Sequence, residues 1–148
     1  MKAVIQRAGH SYVAVDGEKV GEITQGMVIL LGVAEDDTPE DIELLAGKMV
    51  NLRIFEDQDG KMNRSLLEEE GEILLISQFT LFADTRKGRR PSFIKAGNPD
   101  KAREYFHLMK SRLEELGAVV ETGVFQADMD VHLVNDGPVT IIMDTRER

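Results

Sequence analysis

The run Met27-Val28-Ile29-Leu30-Leu31-Gly32-Val33, entered through Gly26, limits this chain more than any other stretch. It carries no polar side chain and is far shorter than a membrane span, which needs about 20 residues. It reads as a strand buried on both faces. A second run, Glu72-Ile73-Leu74-Leu75-Ile76, has the length and composition of another. Strands of this kind need cover on both sides, and the rest of the chain must supply it.

Helical cover comes from two places. Thr38-Pro39-Glu40-Asp41 combines a capping hydroxyl, a proline at the first helical position and acids at the positive end of the dipole. Ile42, Leu45, Ala46, Met49 and Val50 then recur on one helical face. Asn98-Pro99 opens a second helix, with Ala102, Tyr105, Phe106, Met109, Leu113 and Leu116 as its apolar stripe and Gly117 as its stop. Further strands are predicted over 3–8, 10–15, 19–23, 53–56, 118–122, 129–134 and 139–143. Asp16-Gly17 turns a hairpin over 10–24, and Asn135-Asp136-Gly137-Pro138 reads as the turn of another. Asn63 to Glu70 reads as a short turn or helix, and Asp57-Gln58-Asp59-Gly60 as a plain turn whose glycine comes too early for a calcium loop.

The fold class is therefore α+β (mixed α/β), with curled, largely antiparallel sheet and two amphipathic helices, in a single domain over 1–148. Two helices cover only part of so much sheet. The remaining face must curl on itself or pair with another subunit, and a homodimer is the economical solution.

The 148 residues hold no cysteine, which excludes disulfides and thiolate metal sites. His10, His107 and His132 have no paired spacing, so no metal is expected. The apolar part of the N-terminus is too short for a signal peptide, and a cytoplasmic protein is expected. Net charge is -9, yet Arg86, Lys87, Arg89, Arg90 and Lys95 face the single acid Asp84 in one loop, a net +4. A basic loop on an acidic body suits a polyanion or is a solvated turn.

That loop follows Ser77-Gln78-Phe79-Thr80-Leu81-Phe82, where hydroxyls and an amide alternate with large apolar groups as the strand from Glu72 runs on. A rigid element carrying donors out of a core is a way to present a polar site. Ser77 or Thr80 could serve as a nucleophile if a base such as His132 approached, but no Gly-x-Ser-x-Gly elbow surrounds Ser77.

Ser-Gln-Phe-Thr-Leu-Phe at 77–82 together with Gly-Pro-Val-Thr at 137–140 resembles the D-aminoacyl-tRNA deacylase family. Ala-Val-Ile-Gln-Arg at 3–7 and Lys-Gly-Arg-Arg-Pro-Ser-Phe at 87–93 match as well, so the similarity runs from end to end. The resemblance implies hydrolysis of the ester joining a D-amino acid, or glycine, to the terminal ribose of tRNA, and a homodimer with active sites at its interface. It implies that Gly137-Pro138 carries a cis bond and enters the partner's site, where its carbonyls hold the substrate amine and exclude L side chains. Arg7 would brace that element and Met129 would border the pocket. Gln78 and Phe79 would offer backbone N–H donors, with Ser77 and Thr80 shaping the pocket. The tRNA's own 2′-OH would assist attack, with Thr80 as covalent nucleophile the competing route. No cofactor is implied. Arg86, Lys87, Arg89 and Arg90 are expected to meet acceptor-stem phosphates.

Overall fold

The computed structural model describes residues 1–147. In chain order the elements are β1 Lys2–Ala8, β2 Ser11–Val15, β3 Glu18–Ile23, β4 Gly26–Gly32, α1 Pro39–Asn51, β5 Phe55–Glu56, β6 Met62–Arg64, α2 Leu66–Glu69, β7 Glu72–Ser77, a 3-10 turn Phe79–Phe82, α3 Pro99–Glu115, β8 Val119–Thr122, β9 Asp130–His132 and β10 Asn135–Asp144. One sheet runs β10-β1-β4-β7-β8, antiparallel at β10–β1 and β1–β4, parallel at β4–β7 and β7–β8. A smaller antiparallel sheet runs β3-β2-β9, and β5–β6 is a short antiparallel pair.

The apolar runs earn their lack of alternation. Met27, Ile29 and Leu31 of β4 and Ile73 and Leu75 of β7 join one core with Leu45 and Met49 of α1 and Phe106, Met109 and Leu113 of α3. The residues between them, Val28, Leu74 and Ile76, join a second core with Val13 and Ile23 of the smaller sheet. Successive side chains point to opposite faces, so both parities must be apolar. Burying each such side chain is worth roughly 1.5–3 kcal/mol. Gly21 marks a close approach of the two sheets, because a Cβ there would lie 2.5 Å from the Thr122 carbonyl oxygen.

The Asp16-Gly17 turn is as expected: φ is 51° at Asp16 and 80° at Gly17, the two positive values that a two-residue hairpin with the right twist requires. Helix α1 begins where its caps predict, with the Thr38 N–H donating to Asp41 Oδ2 at 2.8 Å. The Asp57 carboxylate accepts the N–H groups of Asp59 and Lys61, which makes 57–60 an ordinary turn.

Three expectations need correction. The strand from Glu72 ends at Ser77, and Phe79–Phe82 winds into the 3-10 turn, so the alternating parity of 77–82 is not strand parity. Residues 135–138 do not turn a hairpin: β9 pairs with β2, β10 pairs with β1, and Gly137-Pro138 lies within β10. The strand predicted over 53–56 is confined to Phe55–Glu56.

Among the described residues the second core takes in Ala8 of β1, with Leu30 of β4 packed against it, but nothing of β10. Across β4, β1 and β10 runs a row in register, Leu30, Val4 and Ile142, and Ile142 is 73% exposed in the body of a ten-residue strand.

Candidate active site

β7 delivers Ser77 to the rim of a cavity of about 730 Å³ that opens between the two cores. Its floor is apolar, from Leu31, Val33, Ile76, Ala102, Phe106 and Val131, and its rim holds Ser77, Gln78, Phe79, Phe93, Asn98 and Gln126. No lining residue is ionisable. Ser77, Gln78, Phe79 and Met129 thus line one cavity, while Thr80, Arg7, Gly137 and Pro138 are not among the lining residues. Gly123 sits against Met129, whose Sδ would lie 2.5 Å from a Cβ at that position.

The 3-10 turn replaces the expected strand because it must cross the end of β4. The Gln78 N–H donates to the Leu31 carbonyl at 2.8 Å, continuing the β7–β4 ladder by one bond before the chain turns away. Of the two N–H donors expected for the substrate, that of Gln78 is therefore committed. The N–H groups of Phe79 and Thr80, at the start of the turn, have no acceptor among the described residues, which is the normal state of a helix's first donors. The Thr80 hydroxyl, exposed, accepts a hydrogen bond from the Gln78 side-chain amide. Gly32 makes the crossing possible, since a Cβ there would lie 3.1 Å from the Gln78 carbonyl oxygen and from the Phe82 ring.

The opposite rim is tied to β4's continuation. The Gly97 N–H donates to the Val33 carbonyl at 2.9 Å, and the Asn98 N–H to Glu35 Oε2 at 2.7 Å. Asn98 in turn caps α3 by accepting the Lys101 N–H at 3.0 Å. Phe93 meets Phe79 edge-on at 5.0 Å across the mouth. The basic loop springs from this rim and is closed by paired Asp84 and Ser92 backbones, at 2.8 and 2.9 Å. Arg86 turns back onto Asp84 through side chain and backbone, which holds the Asp84 carboxyl well below the usual carboxylate range. Lys87, Arg89 and Arg90 are exposed.

Gly137-Pro138 is a cis peptide, exposed outside this chain's own cavity. Arg7, 7% exposed, reaches it from β1: Nε donates to the Asp136 carbonyl at 2.9 Å and Nη1 to the Ile54 carbonyl at 2.8 Å. His132, the candidate base, stacks on Tyr12 at 4.4 Å and does not line the cavity. Among the described residues no group of three or more His, Cys, Asp or Glu is placed to hold a metal ion, and no helix is long and apolar enough to cross a membrane.

Sequence reading missed Phe93, Phe106 and Phe125 as lining residues. Phe106 was legible only as one member of a helix's apolar stripe, and nothing local marks a core phenylalanine as a cavity wall. Gly32 and Asn135 carried no separate signal.

A family profile described as D-Tyr-tRNA(Tyr) deacylase matches residues 4–144. The chain is 55% identical over 148 residues to a D-aminoacyl-tRNA deacylase of Kosmotoga olearia, covering all of this chain and 99% of the relative. It is equally 55% identical to one of Thermus aquaticus, covering all of this chain and 97% of that one. Among solved structures, one described as c-Myc DNA Unwinding Element Binding Protein superposes with a TM-score of 0.93 at 38% identity, over 98% of this chain and 99% of that one. A probable eukaryotic D-amino acid tRNA deacylase shares the fold at a TM-score of 0.79 and 18% identity, over 96% and 97%.

Proposed function

This chain belongs to the D-Tyr-tRNA(Tyr) deacylase family and is a hydrolase of D-aminoacyl-tRNA, and we propose that it works as a homodimer, each 148-residue domain completing its partner's site. Water attacks the carbonyl carbon of the ester that joins a D-amino acid, or glycine, to the terminal ribose. The Phe79 N–H receives the developing oxyanion, a contribution of about 3–4 kcal/mol from a well-aimed donor. The neighbouring 2′-OH of the tRNA accepts a proton from the attacking water and passes its own to the departing ribose oxygen, so that the free amino acid and the tRNA hydroxyl are released.

The observation that carries this reading is the cavity's lining: donors and apolar walls, with no side chain able to act as general base. Chemistry there draws its base from the substrate. Covalent attack by Thr80 is less well supported, because the Thr80 hydroxyl accepts from Gln78 and has no basic neighbour among its hydrogen-bond partners.

Gly137-Pro138 enters the partner's cavity, where its carbonyls hold the α-amino group and an L side chain collides with backbone. Rejection by rigid backbone reads chirality while ignoring the side chain's identity. Its exposure outside the home cavity supports the assignment, as does Ile142, left 73% exposed on the same strand. Lys87, Arg89 and Arg90, with Arg86, meet the acceptor-stem phosphates in the cytoplasm.

The test is hydrolysis of matched D- and L-tyrosyl-tRNA by the intact protein and by variants at Gly137 and Pro138. Loss of the D ester alone, with discrimination failing in the variants, is expected. Turnover of neither ester would leave a nucleic-acid-binding protein; equal turnover of both would leave a hydrolase without a chiral gate.

A further inference from the structure

We propose that Asn135 is a positioning residue for chiral discrimination, fixing the far end of the Gly137-Pro138 element as Arg7 fixes the near end. The inference rests on the function proposed above.

It starts from register. Ala8 pairs with Asn135 and Gln6 pairs with Thr140, so β1 spends one residue, Arg7, where β10 spends four, Asp136 to Val139. The extra residues leave the ladder as an outward bulge. Asp136, Gly137 and Pro138 are all exposed, so packing within this chain does little to hold them. Their geometry depends on hydrogen bonds at the two feet.

At the near foot the Asp136 carbonyl accepts from Arg7 Nε at 2.9 Å. At the far foot Asn135 Oδ1 accepts the Val139 N–H at 2.7 Å. The same side chain donates from Nδ2 to Thr140 Oγ1 at 3.0 Å, and Gln6 Nε2 reaches that hydroxyl from β1 at 3.4 Å. Asn135 therefore ties the exit of the bulge back to its entrance, across the residues that bear the two carbonyls. Asparagine supplies both an acceptor and a donor from one short side chain. Aspartate keeps the acceptor for the Val139 N–H and lets the Thr140 hydroxyl rotate to donate; alanine keeps neither.

The element's work is exclusion, and exclusion fails when a wall can yield. A bulge tied at one foot moves at the other, and an L side chain then gains room. A purely structural asparagine would lower stability and slow both esters alike; a positioning one changes their ratio.

The experiment measures single-turnover hydrolysis of D- and L-tyrosyl-tRNA by the full-length wild type, Asn135→Ala, Asn135→Asp and Thr140→Val, with Gly137→Ala as benchmark. Amide exchange at Val139 is followed in the same proteins. Asn135→Ala is expected to cut the D-over-L rate ratio by about tenfold or more, as sub-ångström misplacement at a reacting centre does. Its Val139 amide should exchange faster, and Asn135→Asp should restore both readouts to within about threefold, since the acceptor is kept. Should Asn135→Ala fail to fold, Thr140→Val carries the test, with a smaller loss of ratio in the same direction. A ratio held within about threefold in Asn135→Ala, or in Thr140→Val where that stands in, overturns the proposal whatever the melting temperature does. If Gly137→Ala collapses the ratio while Asn135→Ala does not, only this proposal falls. If Gly137→Ala also leaves it intact, or the wild type does not discriminate, the functional reading falls with it.

Discussion

Arg7 Nε donates to the main-chain carbonyl of Asp136 at 2.9 Å while Nη1 of the same guanidinium donates to the carbonyl of Ile54 at 2.8 Å. One buried side chain thus links strand β1, the segment before β5 and the exposed Gly137-Pro138 element. A planar fork holds donors on separate nitrogens at fixed positions facing the two carbonyls; an ammonium has three donors but offers them from one point on a flexible stem. Arg7→Lys should leave one carbonyl unmet and cost about 1–3 kcal/mol. Denaturant unfolding checks the stability, and the D-over-L rate ratio should fall in the same variant.

Gly32 is glycine for space, not for backbone freedom. A Cβ there would press on the Gln78 carbonyl oxygen and the Phe82 ring, both at 3.1 Å, and on Leu81 Cβ at 3.2 Å. Gly32→Ala should shift the donor turn by a few tenths of an ångström and lower kcat by about tenfold, with KM changed little. Steady-state kinetics on the D ester decide it; a rise in KM with kcat unchanged would contradict the placement of the donor.

Because no lining residue is ionisable, the pH profile of kcat/KM should lack the inflection near pH ~6.5 that a histidine base imposes. His132→Ala should keep the wild-type rate, since His132 is stacked on Tyr12 away from the cavity. Loss of the chemical step in that variant would restore His132 as the base for a Ser77 or Thr80 nucleophile.

The four cations of the loop should not contribute equally. Arg86 is already paired with Asp84 at 2.6 Å, whereas Lys87, Arg89 and Arg90 have no ion-pair partner among the described residues. Charge reversal at Arg89 and Arg90 should weaken tRNA binding and flatten its log–log salt slope by about 0.7–0.9 for each phosphate no longer neutralised. Arg86→Ala should do less to affinity and more to loop order. The Asp84 clasp follows its depressed pKa: its contribution is complete above the ordinary carboxylate pKa, about 4, and is lost only as pH falls through the lower folded value. Salt titrations at neutral pH and at about pH 5 should therefore agree on loop geometry. Unchanged affinity of the double variant at low salt would remove the loop from the tRNA interface.

Ile142 is 73% exposed and continues the row from Leu30 through Val4. Ile142→Asp should leave the fold intact, because the side chain is exposed and belongs to neither core, yet shift the sedimentation of the protein from the proposed dimer to a monomer. Activity should disappear with the dimer if each site needs its partner's Gly137-Pro138. An active monomer would refute the shared site.

The sequence by itself determined the buried strands, the caps of α1 and α3, the Asp-Gly hairpin and both motifs. These are local matters: periodicity, capping and turn chemistry act over a few residues, and their signals survive without knowledge of neighbours. Tertiary structure decided the rest. Whether the chain after Ser77 runs on as strand or winds up depends on Leu31 accepting the Gln78 N–H and on Gly32 leaving room beside it, far earlier in the chain. The stretch 129–143 looks like a hairpin because strands adjacent in sequence usually pair. Here β9 finds β2 and β10 finds β1, and the four-residue bulge opposite Arg7 exists only in that pairing. Partner choice between strands is set by which apolar faces meet, and a residue's own neighbours in sequence carry no record of that.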